Sequence, residues 1–240
     1  MGYQFIKGRC DSFTRSDGVT ISLLPKPYCE RCADPIRPSI STGLCYNCYN
    51  GNTQVDLANL SKVYAASVYV SHSIGHILSG EIKKCKHDLS YTGGLAEVLE
   101  HATTVMYPEL NSYDALTFPP RGSKTEKENH LEGIVNNLSA RIEIEVMDIL
   151  SKLTDYSSQW KRSRENRIEN VKDQIGCSEY VTDRRIIVVD DVFTTGATLL
   201  NSAKALRKMG AREVVGLVLG RAAGTEHLLK YAEVIEKVED

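Results

Sequence analysis

The amino-acid sequence predicts an α/β fold, a parallel sheet flanked by helices, with a small cysteine-bearing module at the amino end. Three observations carry this expectation. Ile186 to Val189 are four consecutive β-branched residues with no polar position among them, the pattern of a strand buried on both faces of a parallel sheet. A helical pattern from Leu199 to Met209 follows, closed by Gly210, and then a second apolar run from Val214 to Leu219, which together form a right-handed βαβ crossover. Near the amino end, Cys29-x-x-Cys32 and Cys45-x-x-Cys48 form two close pairs of thiols.

The 240 residues can bury a sizeable core, as one large domain or as a domain with a small module. We divide them at a polar linker, Asn50 to Ser61, into residues 1–53 and residues 62–240. A net charge of -2 argues against general nucleic-acid binding over the whole surface. No apolar run approaches the roughly 18 residues of a membrane span. Met1 to Asp17 lacks the basic start and apolar stretch of a signal peptide, so a cytoplasmic protein is expected.

The cysteine pairs flank a loop holding Pro35, Pro38 and Gly43, a layout that fits a structural zinc ion held by Cys29, Cys32, Cys45 and Cys48. Redox dithiols or disulfides are the alternative, and a reducing compartment with this paired spacing favours zinc. Residues 19–53 hold little apolar material, so the metal is expected to supply much of the module's folding energy. Cys10, Cys85 and Cys177 read as ordinary thiols. Lys26, Arg31 and Arg37 do not make a basic patch, which leaves a nucleic-acid or protein partner for the module open.

Val63 to Val70 reads as a strand, and Ile74 to Lys86 as a helix whose Ile74, Ile77, Leu78 and Ile82 share a face. Its basic end, Lys83, Lys84, Lys86 and His87, reads as a match to the helix dipole. His72 and His76 are four apart but lack a third ligand, so they read as surface or hydrogen-bonded histidines. Gly93-Gly94 is expected to turn the chain into a helix from Leu95 to Val105. Tyr113 to Phe118 reads as a strand that runs into Pro119-Pro120-Arg121-Gly122-Ser123-Lys124, where backbone amides and two cations could meet an anion. Leu131 to Arg141 reads as a helix, and the alternation of Ile142, Ile144 and Val146 with Glu143 and Glu145 as a half-exposed strand, with a continued helix as the alternative. The basic stretch Gln159 to Asn170 could be a solvated helix face or a functional segment. Beyond Leu219, Arg221 and Ala222 to Gly224 open a last loop, before a helix near Leu228 and a strand at Val234-Ile235.

The chemistry concentrates after Val189. Asp190 and Asp191 end the apolar run, and Thr194-Thr195-Gly196-Ala197-Thr198 leads into the helix. Such a loop offers free backbone amides, hydroxyl donors, close approach at Gly196 and the positive end of a helix dipole, which suits phosphate. The Lys of a nucleoside triphosphate loop is missing. Two carboxylates this close suit sugar hydroxyls, or a divalent cation held between sugar and phosphate, so a sugar phosphate is the expected ligand.

VVDDVFTTGAT resembles the phosphoribosyl pyrophosphate (PRPP) loop of type I phosphoribosyltransferases. With the amino-terminal cysteine pairs, the helix end Ile82 to Lys86, the FPPRGSK loop, and Gln159, Arg167 and Asn170 at fixed steps, all in the family's order, the chain from Cys29 onward resembles the ComF-like branch with its zinc ribbon. Arg162, where an apolar residue is usual, and Asp173-Gln174-Ile175, in place of an aromatic end, depart from that branch. The resemblance implies a type I phosphoribosyltransferase-like sheet and transfer of a ribosyl phosphate from magnesium-bound PRPP to a nitrogen acceptor. It implies the 5'-phosphate on Thr194, Thr195, Gly196, Ala197 and Thr198, and the ribose hydroxyls on Asp190 and Asp191. It also implies the pyrophosphate on Arg121, Gly122 and Lys124, with Lys161 or Arg162. A non-catalytic PRPP or nucleotide sensor, its ribbon touching nucleic acid or a protein, is the alternative. The acceptor and the oligomeric state, a homo-oligomer included, stay open.

Overall fold

The computed structural model describes residues 11–35, 41–51, 58–70, 76–120, 129–153 and 175–222. Two short antiparallel strands open it, β1 (Ser12–Thr14) and β2 (Thr20–Ser22). The cysteine module follows with a one-turn helix, α1 (Tyr46–Tyr49), and the chain then enters the sheet at β3 (Val63–Tyr69). Helices α2 (Ile77–Cys85) and α3 (Thr92–His101) lead to β4 (Ala115–Thr117), and α4 (His130–Ile142) to β5 (Glu145–Val146). An antiparallel ribbon of β6 (Leu150–Lys152) and β7 (Ile175–Cys177) brackets the basic stretch read from sequence. The chain then runs through β8 (Arg185–Phe193), α5 (Ala197–Lys208) and β9 (Glu213–Ala222).

Five of these strands form one sheet in the order β3-β9-β8-β4-β5, with every pairing parallel. The parallel sheet flanked by helices, with a four-cysteine cluster near the amino end, is the architecture expected from sequence. From β4 the chain steps outward to β5, whereas from β8 it steps the other way to β9. The carboxyl ends of β4 and β8 therefore part at a switch point, the place where open α/β sheets bind ligands.

Alternation along each strand feeds two apolar layers. Ile187 and Val189 join Leu78, Ile82, Leu95, Leu99, Ile134 and Leu138 of α2, α3 and α4. Ile186 and Val188 face Leu199, Ala203 and Leu206 of α5, in a layer that also holds all four module cysteines. The cysteine module thus packs directly against the sheet, and Val63 of β3 donates its amide to the Arg31 carbonyl at 2.9 Å. The β1–β2 hairpin packs on the other layer, through buried Ile21 and an Arg15–Glu81 ion pair of 2.6 Å to α2.

Several elements differ from the sequence reading in their limits. Gly93 and Gly94 lie inside α3 rather than in a turn; a Cβ on Gly94 would stand 2.7 Å from Arg15 Nη1, so its smallness admits the guanidinium. After His101 the helix widens into a π-turn over Ala102–Met106. The alternating run from Ile142 does not start a strand at once. α4 continues to Ile142, and Glu143 stops it at φ 58°, its amide bonded to the Ser139 carbonyl at 2.8 Å, which leaves only Glu145–Val146 to pair. The expected helix near Leu228 and strand at Val234-Ile235 lie outside the described residues.

Candidate active site

β8 is longer than its apolar run. Its last residues, Asp190 to Phe193, stay in register with β9, where Asp190 pairs with Val218 and Val192 with Gly220. The acidic pair is therefore held by strand backbone, and the turn that follows is tight. Gly196 adopts φ 85°, a left-handed conformation open to glycine without strain, and caps α5. Thr194, Thr195, Ala197 and Thr198 are exposed around it. The first amides of α5 have no acceptor within the helix, although the Ala197 amide reaches Thr195 Oγ1 at 3.5 Å, and the turn borders an open cleft of about 100 Å³. Residues 193–199, with Asp190 and Val192, line that cleft. The five loop residues and Asp190 expected to meet a sugar phosphate are thus together.

The two carboxylates have different surroundings. Asp190 Oδ1 accepts the Asp191 amide at 2.9 Å. Burial, and then the charge of Asp191, push Asp190 up to about 7. Asp191 reaches the helical layer, where Lys86 Nζ lies 2.6 Å and His130 Nε2 3.4 Å from its Oδ2. Burial raises Asp191, but the His130 and Lys86 bonds outweigh it and hold the carboxyl down at about 2. Asp191 is thus held toward its anion and Asp190 is drawn toward its neutral form. A hard divalent cation or sugar hydroxyls bound between them would relieve the repulsion that raises Asp190, so the donor set fits magnesium.

The helix end at Lys86 belongs to the resemblance but carries no site role in the sequence reading, and His130 gives no signal of its own there. Lys86 caps the end of α2, where a cation answers the helix dipole, and the same position puts its ammonium on Asp191. His130 begins α4 after the capping Asn129, whose side chain accepts the Leu131 amide at 3.1 Å. His76, the other histidine singled out, caps α2 through its ring nitrogen and Ser79, in line with the hydrogen-bonded reading. His72 lies outside the described residues.

Of the FPPRGSK loop, only Phe118 to Pro120 is described. β4 beside β8 directs the chain there toward the same sheet edge. Arg121, Gly122, Lys124, Lys161 and Arg162 lie outside the described residues, as do Gln159, Arg167 and Asn170.

The cysteine module holds the second cluster. Cys29, Cys32, Cys45 and Cys48 are buried, with all four sulfurs within 4.8 Å of one another. Cys32 Sγ and Cys45 Sγ stand 3.7 Å apart, too far for a disulfide and close to the ~3.8 Å edge of a tetrahedron with zinc–sulfur bonds of ~2.3 Å. Sulfur–sulfur hydrogen bonding holds Cys29 down and, with burial, pushes Cys32 up. Such crowded thiols suit a divalent cation in place of their protons.

An α/β protein with a phosphate-type loop beside an acidic pair at a switch point is what fold and site define. Residues 134–240, less than half of the chain, match the family model described as the phosphoribosyl transferase domain. That span takes in the acidic pair and the loop and leaves out the cysteine module. No curated protein matches the chain. Among solved structures it is similar to a purine phosphoribosyltransferase from Pyrococcus horikoshii Ot3, at 20% identity over 64% of this chain and 87% of that one, TM-score 0.34. It is similar also to an adenine phosphoribosyltransferase from Leishmania tarentolae, at 13% identity over 61% and 78%, TM-score 0.38. A hypoxanthine phosphoribosyltransferase from Staphylococcus aureus aligns at 8% identity over 57% and 76%, TM-score 0.35. At such scores the likeness is loose.

Proposed function

We propose that the protein is a ComF-like type I phosphoribosyltransferase, which moves the 5-phosphoribosyl group of PRPP to a nitrogen acceptor and releases pyrophosphate. The observation that carries this reading is the loop cleft with Asp190 on its wall, inside the stretch that matches the phosphoribosyl transferase domain. Threonine hydroxyls and first-turn amides of α5 bind the 5'-phosphate, and Asp190 and Asp191 take the ribose hydroxyls. Asp190 and Asp191 would also hold magnesium, which would supply charge neutralisation for the pyrophosphate. In the transfer the bond from the anomeric carbon to the pyrophosphate oxygen breaks, its electron pair leaving on pyrophosphate, and a carbon–nitrogen bond forms. Arg121, Gly122 and Lys124, with Lys161 or Arg162, receive that charge in this reading. The four cysteines hold a structural zinc ion, and the cytoplasm is the proposed location.

The double variant Asp190→Asn, Asp191→Asn tests the site. Calorimetry should find magnesium-dependent PRPP binding weakened at least about 100-fold, since both ribose contacts are lost with the cation. Affinity equal to that of the unaltered protein would overturn the assignment.

A non-catalytic PRPP sensor is the second reading. It is favoured by Arg221, which ties the loop's first carbonyls to the cysteine module. Pyrophosphate release across a panel of nitrogen acceptors separates the two, because a sensor binds PRPP and releases none.

A further inference from the structure

Arg221 is the last charged residue of β9, and its guanidinium joins the end of β8 to Cys32, which lies 189 positions before Arg221 in sequence. Nη1 donates to the carbonyls of Phe193 at 3.0 Å and Thr194 at 3.2 Å, where β8 ends and the anion loop begins. It also donates to the Ala222 carbonyl at 2.9 Å. Nε donates to the carbonyl of Cys32 at 3.2 Å, and Nη2 stands 3.9 Å from Asp34 Oδ2. The guanidinium carbon lies 4.6 Å from the centre of the Phe193 ring, which it covers. The planar fork can serve so many acceptors only while the Cys32 backbone and the loop keep their mutual position. Packing repeats the link, since Phe193 and Leu199, on either side of the loop, share an apolar layer with the four cysteines.

We infer that Arg221 is a positioning residue through which a metal ion on Cys29, Cys32, Cys45 and Cys48 sets the conformation of the 194–198 anion loop. Metal fixes the Cys32 backbone, the backbone fixes the guanidinium, and the guanidinium fixes the carbonyls from which the loop departs. Coupling between two sites is reciprocal, so a ligand in the loop must also tighten the hold on the metal. The first half of this coupling is independent of what the loop binds. The second half rests on the PRPP reading.

The test uses the full chain, zinc-loaded and chelator-stripped, unaltered and as Arg221→Gln. Hydrogen exchange of the amides from Phe193 to Leu200 is followed beside that of α4, which lies on the opposite layer. Stripping zinc should speed exchange in 193–200 of the unaltered protein at least tenfold more than it speeds exchange in α4, whose change reports the general loss of stability. Arg221→Gln should keep one zinc per chain yet exchange rapidly in 193–200 with or without it. Exchange in 193–200 that ignores zinc, an equal acceleration in α4, or a metal response retained by Arg221→Gln would each overturn the coupling. The stripped unaltered protein decides the matter even where the variant does not fold. In a second arm, release of zinc to a chromogenic chelator should slow several-fold with magnesium and PRPP present, and not in Arg221→Gln. If PRPP does not bind the zinc-loaded protein, the functional reading fails, while the exchange result still decides the coupling.

Discussion

Residues 194–198 and the module from Cys29 to Cys48 border the same apolar layer, and both are turns stabilised by little regular structure of their own. They are held by different means. The anion loop is exposed, and its shape comes from the backbone on either side: β8 in register with β9, Gly196 at φ 85°, and α5 behind it. The module is buried at its four sulfurs, and its helix α1 has four residues and no side-chain cap. A loop of the first kind is preorganised before its ligand arrives. A module of the second kind, in the reading proposed above, acquires its geometry from a zinc ion on the four sulfurs.

The largest effect should therefore follow from removing a sulfur. Cys45→Ser leaves three thiolates around a tetrahedral ion, and zinc measured by mass spectrometry should fall from about one per chain to roughly a tenth of that. Calorimetric stability should drop by about 3–5 kcal/mol, or about 10 °C in Tm. Because the cysteines share a layer with Leu199 and Leu206, the loss reaches beyond the module. Full zinc content with a Tm within about 2 °C of the unaltered protein would rule out the four-sulfur centre.

The acidic pair sharpens the comparison, because there burial and a neighbouring carboxylate oppose the ionisation of Asp190. Asp190 is raised to about 7, above its unfolded value of about 3.9, so folding favours its neutral form. That contribution to stability is fully present below about pH 4 and is lost as pH rises toward 7. Asp190→Asn should then raise stability at pH 8 by about 1–2 kcal/mol and lose the gain near pH 4, as thermal melts at both pH values would show. Equal gains at both would mean that ionisation of Asp190 is not what strains the site. Asp191, lowered to about 2, contributes in the opposite sense, and its stabilisation is lost only as pH falls from about 4 toward 2.

Legibility in the sequence followed the same division between local and distant causes. Ile186 to Val189, the Thr-Gly turn and the helix behind it are readable because strand burial and helix capping each need neighbouring residues. The clustering of the cysteines is readable because two close pairs bring four sulfurs together. What stayed hidden depends on contacts between distant positions. Lys86 has an adequate local role at a helix end, and His130 meets Asp191 across 61 positions, so neither carries a local signature of the site. Arg221 resembles the start of a loop until Cys32 and Phe193 are seen on either side of it. The β6–β7 ribbon pairs only three residues from each strand, too few for a periodicity to emerge. Gly94 reads as a turn because the Arg15 guanidinium that requires its small size comes from the amino-terminal hairpin.

The smallest predicted effect isolates the preorganised loop. At φ 85° Gly196 occupies a region that costs an alanine about 1 kcal/mol, and the strain falls between the threonine hydroxyls and the first amides of α5. Gly196→Ala should lower Tm by only about 2–4 °C, because β8 and α5 are anchored independently by Val188, Phe193, Leu199 and Leu206. Magnesium-dependent PRPP affinity should fall further in proportion, about tenfold, because amides turned away from the cleft no longer converge on one phosphate. Zinc content should not change. Calorimetric titration beside zinc analysis reads both sites at once. Undiminished affinity in a folded Gly196→Ala protein would show that the phosphate does not depend on the turn at Gly196, and the loop would then belong with the module as a region shaped by its ligand.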